Sequence, residues 1–353
     1  MTAQSDWTAL LLRWFDANRR DLPWREARPR NPYHVWVSEI MLQQTRTETV
    51  KDYFRRWMDQ FPTLEALARA PEEQVLRAWQ GLGYYSRARN LHKAARQVMV
   101  DYGGEMPRDA RTLESLPGIG AYTAGAIASM AFGQKVPAVD GNLLRVLARL
   151  YGVDQDIAST AGKKTLTGLA EAAIPADRPG DFNEALMDLG ANVCIPKVPR
   201  CAQCPLRDTC QAFQENRTDQ LPVKRPKAPQ KEFAAACGLV VREGKFLLHK
   251  RPGKGMLASM WEFPMVLGKA ETEARQGLET LLQTRAGECL WEHKHVFTHQ
   301  IWYMKAYILE GGTVPEGEYG FFSPEEWEQI PLAGPHAKLA AFLKKGVDSK
   351  ERV

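Results

Sequence analysis

Trp7, Leu10, Leu11, Trp14 and Phe15 fall on one face at helical spacing, and the same period returns along the chain to about residue 215. The pattern predicts helical stretches around 33–58, 72–79, 86–101, 122–131, 142–150, 160–172 and 181–190. Gly, Pro or Asp stands in most of the gaps between them. Residues 217–231 change character. They carry Pro222, Pro226 and Pro229 among Lys224, Arg225, Lys227 and Lys231, with almost nothing to bury, and read as an extended basic linker that is either solvated or laid along phosphates. Beyond it the texture is mixed α/β. Residues 234–242 and 245–250 form strand-like runs joined by a tight turn at Glu243-Gly244, and 301–310 is a further strand. Ser323-Pro324-Glu325-Glu326 has the form of a helix-starting capping box. The expected fold class is multidomain: an all-α domain over 1–217, a linker over 218–231 and an α/β domain over 232–353.

Composition narrows the class only a little. No apolar run approaches the ~20 residues that cross a bilayer, and the polar N-terminus does not resemble a secretory signal. An intracellular protein without a membrane partner is expected. A net charge of +5 is compatible with a polyanionic partner.

The cysteines change the picture more. Cys194, Cys201, Cys204 and Cys210 lie in one short polar stretch with Lys197, Arg200 and Arg207 interleaved. In a reducing compartment such crowding points to metal ligation, because clustered thiolates need a cation to offset their charge. Tetrahedral zinc and a [4Fe–4S] cluster both take four thiolates. The spacing favours iron–sulfur, since zinc ribbons pair two short Cys-x2-Cys knuckles. Cys237 and Cys289 lie far off and read as packing residues.

Leu116-Pro117-Gly118-Ile119-Gly120 sits between two helical stretches and runs into Ala121-Tyr122-Thr123-Ala124. Gly118 and Gly120 allow a tight turn that bares backbone N–H groups at a helix start, where a phosphate oxygen fits; a plain helix–turn–helix corner is the alternative. Two carboxylates stand out. Glu39 lies in a helix that is apolar almost all round, so it is either a desolvated acid with a raised pKa or a salt-bridged or solvent-facing glutamate. Asp140 precedes an amphipathic helix start and suits an N-cap, a role compatible with catalysis. A proton donor beside an ionised carboxylate is the pair that glycoside hydrolysis uses.

In its Leu-Pro-Gly-Ile-Gly-x-x-Thr-Ala form the 112–130 segment resembles the helix-hairpin-helix of DNA glycosylases. Val139-Asp140-Gly141-Asn142 and the cysteine loop 194–210 match the iron–sulfur branch of that superfamily. Asp21-Leu22-Pro23-Trp24-Arg25, Ser38-Glu39-Ile40-Met41-Leu42-Gln43-Gln44-Thr45 and Gln80-Gly81-Leu82-Gly83-Tyr84-Tyr85 look like the MutY family of adenine glycosylases, over nearly the whole chain. The resemblance implies that Glu39 protonates adenine and Asp140 stabilises or transiently bonds to the sugar, supported by Tyr122 and Asn142. It further implies that Glu184 holds the adenine, Gln44 and Tyr84 wedge into the duplex, Gly118 and Gly120 grip the backbone, and the four cysteines carry a [4Fe–4S] cluster. Tyr122 stands where endonuclease III-like relatives carry a nucleophilic lysine, which implies a monofunctional enzyme that leaves an abasic site. The C-terminal part resembles a MutT (Nudix)-like domain without the hydrolase glutamate box. There Phe297-Thr298-His299 occupies the place of the family's lesion-sensing Phe-Ser-His. The implied partner is duplex DNA holding adenine opposite 8-oxoguanine or guanine, bound by a monomer. A bifunctional glycosylase/lyase, a non-catalytic iron–sulfur DNA-binding protein and a nucleotide hydrolase are the competing readings; Tyr122, Glu39 and the missing box disfavour them in turn.

Overall fold

The computed structural model describes residues 4–26, 30–225 and 229–350. By contacts the chain forms two compact units, residues 1–70 with 90–226 and residues 71–89 with 227–353.

The first unit is helical. Its elements are α1 (Gln4–Asn18), α2 (Pro32–Leu42), α3 (Thr47–Gln60) and α4 (Leu64–Arg69), then α6 (Ser86–Asp101), α7 (Ala110–Glu114), α8 (Ala121–Phe132), α9 (Gly141–Leu150), α10 (Thr160–Ala173), α11 (Pro179–Asn192) and α12 (Gln211–Gln214). The short α5 (Glu72–Ala78) lies between α4 and α6 in the chain and belongs to the second unit, as do residues 86–89 at the start of α6. The helix starts follow local rules. Asn31 caps α2 through bonds from the Tyr33 and His34 N–H groups with Pro32 in the first turn, and Thr63, Asp109, Asp140 and Ser159 cap α4, α7, α9 and α10. The helix expected over 33–58 is broken. Gln44 takes a left-handed φ of 59° and the chain turns between α2 and α3. One core gathers Trp7, Leu11 and Phe15 of α1 against Leu143, Leu147, Phe182 and Leu186 of α9 and α11.

The expected linker is less free than its composition suggests. Leu221 is buried, its carbonyl accepts the Arg149 Nε–H at 2.8 Å, and the Val223 carbonyl accepts the Ile157 N–H at 3.1 Å. Residues 226–228 lie outside the described residues.

The second unit is a mixed sheet with a helix on each face. β1 (Lys231–Arg242) pairs in parallel with β6 (Gln300–Leu309) and antiparallel with β2 (Lys245–Lys250) and β4 (Met265–Gly268). β6 pairs antiparallel with β5 (Ala286–Val296), and β2 with β3 (Trp261–Glu262) and β7 (Tyr319–Phe322). Alternation sets the two faces. Ala235, Cys237, Leu239, Trp302, Met304 and Ala306 pack with Leu339 and Ala340 of α14 (Gly334–Lys350). Ala236, Val240, Tyr307 and Leu309 pack with Leu278 and Leu282 of α13 (Glu271–Leu282). The capping box at Ser323 forms only in part: Glu326 accepts the Ser323 N–H at 2.6 Å, but a single 3-10 turn, Glu326–Glu328, follows rather than a helix.

Candidate active site

α2 packs on α8, α8 on α11, and α11 on the first turns of α9, so side chains of all four helices meet in one cavity of about 320 Å³. Glu39, Tyr122, Asp140, Asn142 and Glu184 all line it. Five residues placed by sequence reasoning thus meet at one site.

Glu39 is buried, because α2 turns apolar residues outward on every side and has no solvent face. Burial pushes its carboxyl up to about 7; the Tyr122 hydroxyl, which donates to Oε2, opposes the rise, and the Asp140 charge adds to it. Tyr122 is itself raised well above its ordinary value, by burial and by Glu39, and stays a neutral donor. Asp140 caps α9, accepting the Leu143 N–H at 2.7 Å and Asn142 Nδ2 at 2.8 Å. Burial raises its pKa against these bonds, which favour the charged form. The site therefore holds two carboxyls in different settings: Glu39, pushed up to about 7 by burial, and Asp140, raised by burial but opposed by the bonds it accepts.

Asn142 is held in turn. Arg145 Nη2 donates to Asn142 Oδ1 and to the Gly190 carbonyl, both at 2.8 Å, and Arg145 Nε donates to the Cys194 carbonyl at 2.8 Å. A Cβ on Gly190 would come within 2.7 Å of Asn142 Cβ, so only glycine lets α11 approach the capping residues this closely.

Sequence reasoning missed a cationic wall. Arg25 pairs with Glu184 at 3.1 Å and forks onto Asp188 at 2.8 and 3.1 Å, Arg30 pairs with Glu184 at 2.9 Å, and Arg20 Nε reaches Asp188 at 2.7 Å. Burial works against the Arg25 charge, but Glu184 and Asp188 more than offset it and its pKa is raised. The signal was the one-turn spacing of Glu184 and Asp188 around the apolar Ala185, Leu186 and Met187, which calls for buried partners. Gln44 stands exposed at the left-handed turn, between the cavity-lining Gln43 and Thr45.

Two further places hold the remaining residues. At the hairpin, Gly118 has φ +78° and a Cβ there would meet Asn90 Cβ at 2.7 Å; Gly120 caps α8 with no side-chain bond. In the second unit, Tyr84, Phe297, Thr298 and His299 line one cavity of about 980 Å³, and Tyr84, at a left-handed φ of 48°, bonds through its hydroxyl to Thr298 Oγ1.

Cys194, Cys201, Cys204 and Cys210 line one small cavity with Arg149 and Arg207. The fully buried Arg149 donates to Cys194 Sγ at 3.4 Å and to the carbonyls of Ile195 and Pro196 at 2.8 and 2.7 Å. Burial pushes the Cys204 thiol up to about 12 and raises Cys201 and Cys210. Among the described residues no three His, Cys, Asp or Glu side chains converge closely enough to hold a single metal ion. Four thiols on the lining of one small cavity are a donor set that suits a thiolate-held group.

Comparison with known proteins agrees with this chemistry. Residues 37–171 match the family model for the HhH-GPD superfamily base excision DNA repair protein, and residues 235–341 match that for the NUDIX domain. The adenine DNA glycosylase of Homo sapiens is 40% identical, over 87% of this chain and 68% of its own length. That of Buchnera aphidicola subsp. Acyrthosiphon pisum is 35% identical, over 96% and 97%. The solved structure of a thermostable thymine-DNA glycosylase superposes with a TM-score of 0.54 at 31% identity, covering 60% of this chain and 97% of that one. A buried acid facing a capped carboxylate, on helices matched to base-excision repair proteins and at this identity to adenine glycosylases, places the chain in the adenine DNA glycosylase (MutY) family.

Proposed function

We propose that this adenine glycosylase acts on adenine opposite 8-oxoguanine or guanine and is monofunctional, hydrolysing the N-glycosidic bond and leaving an intact abasic strand. The observation that carries the mechanism is the buried Glu39, protonated near neutrality and facing Asp140 across one cavity. Glu39 delivers its proton to a ring nitrogen of adenine, a poor leaving group until protonated. Asp140 meets the cationic sugar, held by the Leu143 N–H and by Asn142, which Arg145 orients. Tyr122 supplies a hydroxyl where a lyase would need an amine, and its raised pKa keeps it from acting as a nucleophile. Glu184, braced by Arg25 and Arg30, faces the base from the opposite wall. Gly118 and Gly120 hold the backbone, Gln44 and Tyr84 fill the stack where the adenine leaves, and Phe297, Thr298 and His299 read the opposite base.

The four cysteines would carry a [4Fe–4S] cluster. Their shared cavity and the Arg149 guanidinium beside Cys194 support it. The cluster would pin the loop whose Cys194 carbonyl anchors Arg145. Iron and sulfide analysis separates it from zinc.

The test is adenine release from duplexes holding A opposite 8-oxoguanine, G or T, with and without alkali, for wild type and Glu39→Gln. Release opposite 8-oxoguanine and G but not T, nicking only after alkali, and loss in the variant are expected. Efficient nicking without alkali would sink the monofunctional assignment, and release opposite T the pairing assignment.

A further inference from the structure

A second cavity, of about 720 Å³, lies in the helical unit and shares Met130 and Glu184 with the catalytic pocket. Met130 lines both cavities, as does Glu184, with which Arg30 of the second cavity pairs at 2.9 Å. Arg108, Gly133 and Asp177 on its lining are exposed, so the cleft opens to solvent at the surface. No catalytic role described above uses it.

The reaction raises a question of exit. Cleavage yields two products, a neutral purine and a strand that still carries its sugar. The sugar occupies the place where the nucleotide entered, beside Asp140, so the base is trapped behind it until the strand leaves or another opening is found. The second cleft is built for such a base. The Arg108 guanidinium lies over the Phe132 ring, 5.7 Å from its centroid, and with the Met130 thioether offers a polarizable surface for a flat heterocycle. The Glu184 and Asp181 carboxylates on its lining are ion-paired with Arg30 and Arg178, and a carboxylate so paired can still accept from an exocyclic amine through a second lone pair.

We propose that this cleft is a product subsite and rear exit for free adenine, reached past Met130 and the Arg30–Glu184 pair while the abasic strand remains bound. The inference rests on the adenine-excision chemistry above. In it the base departs independently of the DNA, and the pair that braces Glu184 is also the threshold the base crosses.

The test uses the full-length, cluster-loaded protein in excess over a duplex with radiolabelled adenine. Cleavage is read as alkali-sensitive strand scission, and base release as label passing a filter that retains protein-bound DNA. The wild type is expected to release label in step with cleavage while the abasic strand stays on the filter. Ala131 lines the rear cleft and not the catalytic pocket. Ala131→Trp should cleave like wild type but delay label by about tenfold, and Ala131→Leu, a milder insertion should the Trp variant fail to fold, should delay it less. Label that leaves only with the strand in the wild type, or release by both variants at the wild-type rate, overturns the rear exit. A wild type that does not cleave removes the chemistry on which the inference rests, and the inference with it.

Discussion

With its pKa pushed up to about 7, above the usual carboxylate range, Glu39 would lose its acid function and its contribution to stability together as the pH rises. Its folded pKa lies above the ordinary 4.5, so its contribution to stability is complete below 4.5 and declines as the pH rises through about 7. Glu39→Gln keeps an acceptor for Tyr122 and removes that penalty. Urea unfolding at pH 8 should show the variant more stable than wild type, by up to about 3 kcal/mol, and the difference should vanish at pH 4. Adenine release should fall by about 10²–10⁴ in the same variant. The Tyr122 bond lowers the Glu39 pKa, so Tyr122→Phe should move the alkaline limb of the single-turnover rate profile to higher pH; an unmoved limb would show that this bond does not tune the acid. Glu39 stood out as a carboxylate in an apolar helix, whereas Asp140 fits the ordinary N-cap pattern and its proposed role came from the resemblance alone. Arg25 and Arg30 did not stand out. Nothing near them marks burial, and their partners Glu184 and Asp188 lie far along the chain.

At the scale of elements, most helices were legible from their period and caps, and the misses have physical causes. The break between α2 and α3 carries neither glycine nor proline; the left-handed turn falls on Gln44, which periodicity does not mark. β5 escaped because it is an edge strand whose Glu288, Glu292 and Lys294 interrupt any apolar run, charges that also discourage pairing with a further strand. The contact of α11 with α9 matters most for the site. Gly190→Ala would press a methyl onto Asn142 and shift the group that supports Asp140. We expect about 1–3 kcal/mol of lost stability together with a fall in single-turnover rate that added substrate does not restore. A rate equal to wild type would mean that the capping turn yields without disturbing the carboxylate.

Across the whole molecule, residues 71–89 group with 227–353 rather than with the helices that flank them in sequence. Hydrophobic patterning could not foresee this, since α5 and the turn after it read as one more stretch of the helical run. The grouping brings Tyr84 to Thr298 in one cavity. Thr298→Ala should therefore reduce the preference for 8-oxoguanine over guanine opposite the adenine by roughly three- to tenfold, the worth of one hydrogen bond, with little change in cleavage opposite guanine. Equal losses on both duplexes would count against lesion reading by this residue. The same grouping bears on how the protein is made. Tyr84 and Thr298 are 214 residues apart, and Arg89 and the Ala258 carbonyl it bonds are 169 apart. At about 5–20 residues per second, the ribosome delivers the first member of each pair roughly 10–40 s before the second. The helical core can close during that interval, but this segment waits for its partners, and a nascent chain stalled before residue 258 should show it as the stretch most open to proteases and chaperones.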